Sequence, residues 1–219
     1  GISEPVPVAQ TFSYMDEALG IDLTSLCRLD TMVTMVDANR FINDIRSEDL
    51  LADRDQEVGD GDERTIADLL IDQVEFCDVL IINKTDLVAE HDLQKLELIL
   101  RQLQPQAHII KTTQGQVNLD EVLDTKLFDF DIARNSAGWI KELTEGGHKA
   151  HTPETEEYGI GSFVYRRRLP FHAQRLEQWL MQLPQNIVRA KGIVWLAQYN
   201  QVACLLSQAG SSQQIEPVT

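Results

Sequence analysis

The sequence predicts an α/β fold: helices crossing a parallel sheet over residues 1–143, a charged connection at 144–159, and a smaller α+β unit at 160–219. Three observations carry this prediction. TMVTMVD (31–37) and VLIIN (79–83) are short apolar runs of the kind a parallel sheet buries on both faces, and AHIIKTT (107–113) reads as a third strand. The segments between them follow helical periodicity. Beyond residue 160 the pattern changes to strand-like alternation around a single short helix.

Taken in order, TMVTMVD ends on Asp37, which places a carboxylate at the end of the first strand. Ile66, Leu69, Leu70, Val74 and Cys77 recur at the spacing of one helix face, with Asp62 as the expected cap of that helix. The strand 79–83 is followed by Asn83-Lys84-Thr85-Asp86. Leu93, Leu96, Leu98 and Leu100 then mark a second helix ahead of the strand at 107–113. The intervening stretch 43–64 is crowded with carboxylates. Read as a calcium loop starting at Asp53, it puts Val58 where the sharp turn needs Gly and Arg64 where a bidentate Glu belongs, so a solvated acidic loop is expected. In the last unit, SFVYRRR (162–168) alternates like a strand with one exposed face. Leu176, Trp179, Leu180 and Leu183 indicate a helix, and GIVWLA (192–197) and QVACLLSQAG (201–210) two strands around a Tyr199-Asn200 turn.

Composition narrows the functional classes. The formal net charge is −16 over 219 residues, spread unevenly: residues 1–159 hold thirteen Lys/Arg against 33 Asp/Glu, and residues 160–219 six against two. An acidic first half argues against nucleic acid as the partner, because that affinity comes from cations neutralising phosphates. No apolar run approaches the ~20 residues that span a bilayer, so no membrane partner is expected. Cys27, Cys77 and Cys204 are odd in number and far apart, without a C-x-x-C pair, which speaks against a disulfide framework and for a reducing, cytoplasmic setting.

The chemistry lies in Asn83, Lys84, Thr85 and Asp86. Distinguishing guanine requires an acceptor for both the ring N–H and the exocyclic amine, and the two oxygens of the Asp86 carboxylate meet that requirement while rejecting adenine. Asn83 can bond the opposite edge of the base, and the aliphatic stem of Lys84 can lie flat over a purine. The end of a buried strand is where open α/β sheets bind ligands. The alternative is that Asn83 and Asp86 only shape a strand-to-helix turn.

The chain resembles the CobW-type P-loop GTPases, and within them the zinc-metallochaperone branch. The resemblance rests on GISEPVPVAQTFSY (1–14), TMVTMVDANRF (31–41), ADLLIDQVEFCDVLIINKTDLV (67–88), YGIGSFVYRRRLPFH (158–172) and VRAKGIVWLA (188–197). It implies the C-terminal part of a GTPase sheet over 1–143, a linker at 144–159 and a CobW-like C-terminal domain from 160 onward, incomplete at its end. The family carries a G-x-x-x-x-G-K-[ST] phosphate loop, a C-x-C-C metal motif and a Glu-x-x-Gly element ahead of the GISEP segment; the first two patterns do not occur in these residues, and Gly1 matches the final glycine of the third. The expectation is therefore a fragment with no catalytic residue of its own, taken from a protein that as a whole is a GTPase using GTP and Mg2+. Zinc as cargo and a metal-dependent client protein as partner follow from the resemblance alone; cobalt, iron or nickel stay open, as does a homo-oligomer. His148 and His151, three apart in the acidic connection, are the candidate weak zinc ligands. His91, His108 and His172 are read as ordinary polar or structural residues. A contrasting expectation is a non-enzymatic module whose basic tail docks an acidic protein.

Overall fold

The computed structural model describes residues 5–12, 14–16, 20–47, 49–51, 53, 65–129, 160–184, 186–210 and 212–218. They form two compact units, one from the described residues of Gly1–Ile42 and Asp72–Ser162, the other from those of Asn43–Ile71 and Phe163–Thr219.

The first unit is built on three parallel strands in the order β3 (Val33–Asp37), β4 (Val79–Asn83), β5 (His108–Lys111). Ahead of them lie α1 (Pro5–Thr11) and a two-residue antiparallel pair, β1 (Met15–Asp16) with β2 (Ile21–Asp22). Strand β4 is central, so Val79, Leu80, Ile81 and Ile82 are all buried, as its continuous apolar run predicts. Strand β3 departs from the expectation of burial on both faces. It is the outer strand of the described sheet, and Val33 and Met35 on one face are 43% and 52% exposed.

Helix α4 (Glu90–Leu103) connects β4 to β5 and buries Leu93, Leu96, Ile99, Leu100 and Leu103; Leu98 of the expected stripe is only half-buried. Its ends suit the helix dipole, with Glu90 and Asp92 in the first turn and Arg101 in the last. Gln104, fully buried just past the helix, donates from Nε2 to the carbonyls of Glu75 (2.7 Å) and Cys77 (3.3 Å). Buried backbone carbonyls require such partners. Among the described residues, no helix is long and apolar enough to cross a membrane.

Part of the acidic stretch 43–64 is helical rather than loop: α2 (Phe41–Arg46) buries Phe41 and Ile45, an i, i+4 pair among the polar residues. Helix α3 (Ile66–Glu75) follows. The expected cap, Asp62, lies outside the described residues, and Thr65 with Asp68 forms a reciprocal cap instead. The Asp68 backbone N–H donates to Thr65 Oγ1 at 3.2 Å, while Thr65 donates from its N–H (3.2 Å) and hydroxyl (2.8 Å) to Asp68 Oδ2.

The second unit contains the antiparallel meander β6 (Arg189–Trp195), β7 (Ala203–Ala209), β8 (Ser212–Pro217) and helix α5 (Ala173–Leu180). Leu176 and Leu180 of α5 pack on Val194 and Cys204, with Phe171, Leu196 and Leu206 around them; Trp179 faces outward. Three expectations are corrected here. SFVYRRR forms no strand, and only Phe171 beyond it bridges to Leu196. A short 3-10 turn, Ala197–Tyr199, makes the β6–β7 connection longer than two residues. Helix α5 ends at Leu180, so Leu183 of the expected stripe lies beyond it; strand β8 is an element the sequence reading did not place.

Candidate functional site

In-register pairing of β3 with β4 places Asp37 beside Asn83, so two polar side chains meet at the carboxyl end of the sheet. The chain leaves β4 through Lys84, whose backbone is left-handed (φ 61°, ψ 37°), and enters a 3-10 turn at Thr85–Leu87. Left-handed geometry at a lysine is uncommon, and here it reverses the chain within one residue.

Each side chain of the tetrapeptide has a distinct setting. Asn83 Oδ1 accepts the Gly115 N–H at 3.0 Å, and its Nδ2 lies 3.6 Å from Met35 Sδ. Lys84 Nζ pairs with Asp37 Oδ2 at 2.5 Å. The Thr85 N–H and hydroxyl both donate to the Thr112 carbonyl, at 3.3 and 3.2 Å, and Thr85 Oγ1 lies 3.3 Å from Thr113 Oγ1. Asp86 is exposed, and its carboxylate has no hydrogen bond or ion pair among the described residues. Three of the four are thus anchored, Lys84 to the end of β3 and Asn83 and Thr85 to the loop after β5, and the fourth presents two unengaged acceptors to solvent.

The second wall was not singled out in the sequence. It is the loop after β5, where the Thr112 N–H donates to Ile82 O at 2.9 Å and Thr112 Oγ1 to Gln116 O at 2.6 Å. Gln114 and Gly115 take φ of 55° and 67°, a tight reversal that aims the Gly115 N–H at Asn83. The available signal was the Thr-Thr-Gln-Gly run directly after a strand. Asp37 was visible as a strand-ending carboxylate, but its partner was not.

Electrostatics set Asp37 apart. Partial burial pushes its pKa up, yet the hydrogen bond from Lys84, the Asn39 N–H at 3.0 Å and the Lys84 charge outweigh this and hold it below the usual carboxylate range. The turn as a whole presents an uncommitted carboxylate, an anchored amide and a lysine stem.

No metal centre accompanies it among the described residues, where no group of three or more His, Cys, Asp or Glu could hold an ion. His148 and His151 lie outside the described residues. His91 is exposed beside Asp92 (3.4 Å), His108 beside Glu121 (3.3 Å), and His172 precedes α5 without a side-chain cap bond. Cys27 is exposed, and Cys77 and Cys204 are buried. Burial, and then the Asp78 charge, push the Cys77 thiol up to about 12, so it is no thiolate ligand at neutral pH.

Residues 1–111 match the CobW/HypB/UreG nucleotide-binding domain, and residues 160–219 match the cobalamin synthesis protein cobW C-terminal domain. The zinc-regulated GTPase metalloprotein activator 1 of Dictyostelium discoideum is 39% identical over 213 residues, covering 96% of this chain and 44% of that protein. Its namesake in Schizosaccharomyces pombe is 31% identical over 136 residues, 62% of this chain and 28% of that one. A zinc chaperone of Mycobacterium tuberculosis is 28% identical over 211 residues, 96% and 46% of the two chains. The chain therefore spans less than half the length of these relatives. Among solved structures, the Zn(II)-bound YjiA GTPase from E. coli aligns with a TM-score of 0.45 at 19% identity, over all of this chain and 58% of that one, a likeness too low to carry functional weight. With both domain matches in order along one chain, and a curated relative 39% identical across nearly all of it, the protein belongs to the CobW/HypB/UreG nucleotide-binding family.

Proposed function

We propose that this chain supplies the guanine-reading half of a GTP-dependent zinc metallochaperone together with its C-terminal domain. The observation that carries the reading is Asp86, an exposed carboxylate with no partner among the described residues, next to an Asn83 tied to the Thr112–Gln116 loop. In this reading Asp86 accepts from the guanine ring N–H and amine, Asn83 bonds the opposite edge, and Lys84 covers one face. Thr85 keeps the turn seated on the β5 loop.

GTP with Mg2+ would supply the phosphoryl chemistry. Residues 1–219 contain no G-x-x-x-x-G-K-[ST] segment, and this reading assigns none of them to the phosphates. Zinc is the cargo this reading favours, because relatives carry zinc in their names. Its recipient would be a metal-dependent client in the cytoplasm. The carboxylates and histidines of the 144–159 connection, His148 and His151 among them, would offer only a weak, partly hydrated site.

Replacing Asp86 by Asn in the full-length protein carrying these residues tests the reading. An amide N–H then stands where a carboxylate oxygen accepted, which suits xanthine and leaves the guanine amine unpaired. Charge-assisted bonds of this kind are worth about 1.5–3 kcal/mol each, so preference should move from GTP towards XTP by roughly tenfold or more. An Asp86→Asn protein that keeps the parental preference makes Asp86 a turn residue only.

A further inference from the structure

We infer that Asp37 is a positioning residue for base recognition: its carboxylate holds the Lys84 ammonium in place, so that the Lys84 stem stands as a preformed apolar wall for the purine. The inference rests on the base-reading role proposed for Asn83–Asp86.

The arrangement has three parts. Strand register puts Asp37 directly beside Asn83, one residue before Lys84. The Asp37 carboxylate is itself held, because Oδ1 accepts the Asn39 N–H at 3.0 Å, while the Arg40 N–H donates to the Asp37 backbone carbonyl at 3.1 Å and closes the turn; this leaves Oδ2 for Lys84 Nζ at 2.5 Å. The Lys84 backbone is left-handed, which starts its side chain on a course set by the turn rather than by the strand.

A lysine side chain has four rotatable bonds and is ordinarily mobile, so a ligand that packs against its stem must first order it. Here both ends are held, the Cα by the turn and the ammonium by Asp37. The Lys84 side chain is nonetheless 48% exposed, which leaves flank surface for a flat ring. Restraint of this kind adds little to folding, since exposed ion pairs are weak. It lowers the ordering cost of binding, which is where the pair should be read.

The experiment measures GDP and XDP affinity of the full-length protein carrying these residues. Asp37→Asn should weaken GDP about 5- to 10-fold, with the preference for GDP over XDP retained because Asp86 is intact. Lys84→Met, which keeps an apolar stem and leaves β3 untouched, should lose a similar factor, and the double variant should be no weaker than either single one. The inference is overturned by parental GDP affinity in Asp37→Asn, by losses that multiply in the double variant, or, should Asp37→Asn not fold, by parental affinity in Lys84→Met. Asp86→Asn separates the two levels. If it leaves base preference unchanged, the base-reading role and this inference fall together; if it shifts preference while Asp37→Asn binds normally, only the role of Asp37 falls.

Discussion

The Ser212 hydroxyl donates to the Asp68 carboxylate at 2.6 Å, across 144 positions of sequence. Asp68 already caps α3 through Thr65, so a single oxygen, Oδ2, serves the start of a helix and the start of β8. The bond is part of what makes one unit of the described residues of Asn43–Ile71 and Phe163–Thr219.

Losing that carboxylate should cost more than losing a single bond. Asp68→Ala removes the cap and strands the Ser212 hydroxyl, an expected loss of about 2–3 kcal/mol, whereas Ser212→Ala should cost about 1 kcal/mol. Chemical denaturation of the two variants and of the double variant checks this. A double variant whose loss equals the sum of the single losses would show that the two residues do not cooperate.

Gly210, at the turn between β7 and β8, has φ +57° and lies against the Ile45 backbone, where a Cβ would overlap the carbonyl oxygen and approach Ala67 Cβ to 3.3 Å. Gly210→Ala therefore meets both left-handed strain and a backbone clash. About 2–4 kcal/mol of destabilisation is expected, read as a lowered thermal midpoint. Gly192→Ala is the control: its Cβ meets open space, and no such loss should follow.

Two carboxylates give stability opposite pH slopes. Asp30 is held low by the Lys126 N–H at 2.9 Å, helped by Thr31, the Thr125 N–H and Arg28, against some desolvation. Its folded pKa lies below its unfolded one, so its contribution is present above the ordinary Asp value and fades as pH falls through the folded pKa. Asp78 is pushed up by burial and then by the Asp30 charge, although it accepts the Met32 N–H at 2.7 Å. Its folded pKa is the higher one, so stability falls as pH rises from the ordinary Asp value through the raised one. Asp78→Asn keeps an acceptor for Met32 and removes the charge. Its unfolding free energy should lose the declining segment just above pH 4, and stability at pH 7 should be at least parental. A parental pH profile in this variant would refute the assignment.

Zinc should bind the 219-residue chain weakly at neutral pH. Replacing His148 and His151 together by Ala should abolish that binding and leave the thermal midpoint unchanged. Calorimetric titration checks both, because tight sites need about four closely arranged thiolates or imidazoles. Tight one-to-one binding that survives the double substitution would redirect attention to Cys27, Cys204 and His172.

Local pattern made much of this legible. The all-apolar run Val79–Ile82 announces a central strand because a parallel sheet buries both faces of it, and Asn83–Asp86 directly follows. The stripe on α4 was readable for the same reason, since helical period alone selects the buried face. The guanine-reading role proposed for the turn rests on the same local legibility, because the pairing of a carboxylate with the guanine edge is a property of the side chain itself.

What tertiary structure alone decided involves partners distant in sequence. Pairing of Asp37 with Lys84 depends on strand register, which no single segment encodes. Anchoring of Asn83 to Gly115 depends on a loop 32 positions away taking positive φ. The one-sided exposure of β3 reflects its outer position in the described sheet, since an outer strand and a central strand can carry the same apolar letters. The acidic stretch 43–64 reads as solvated loop, yet its described residues, with those up to Ile71, group with the C-terminal ones, where Gly210 lies against Ile45 and Ser212 bonds Asp68. Periodicity reports which face of an element is apolar, whereas the surface that covers it is set by the rest of the chain.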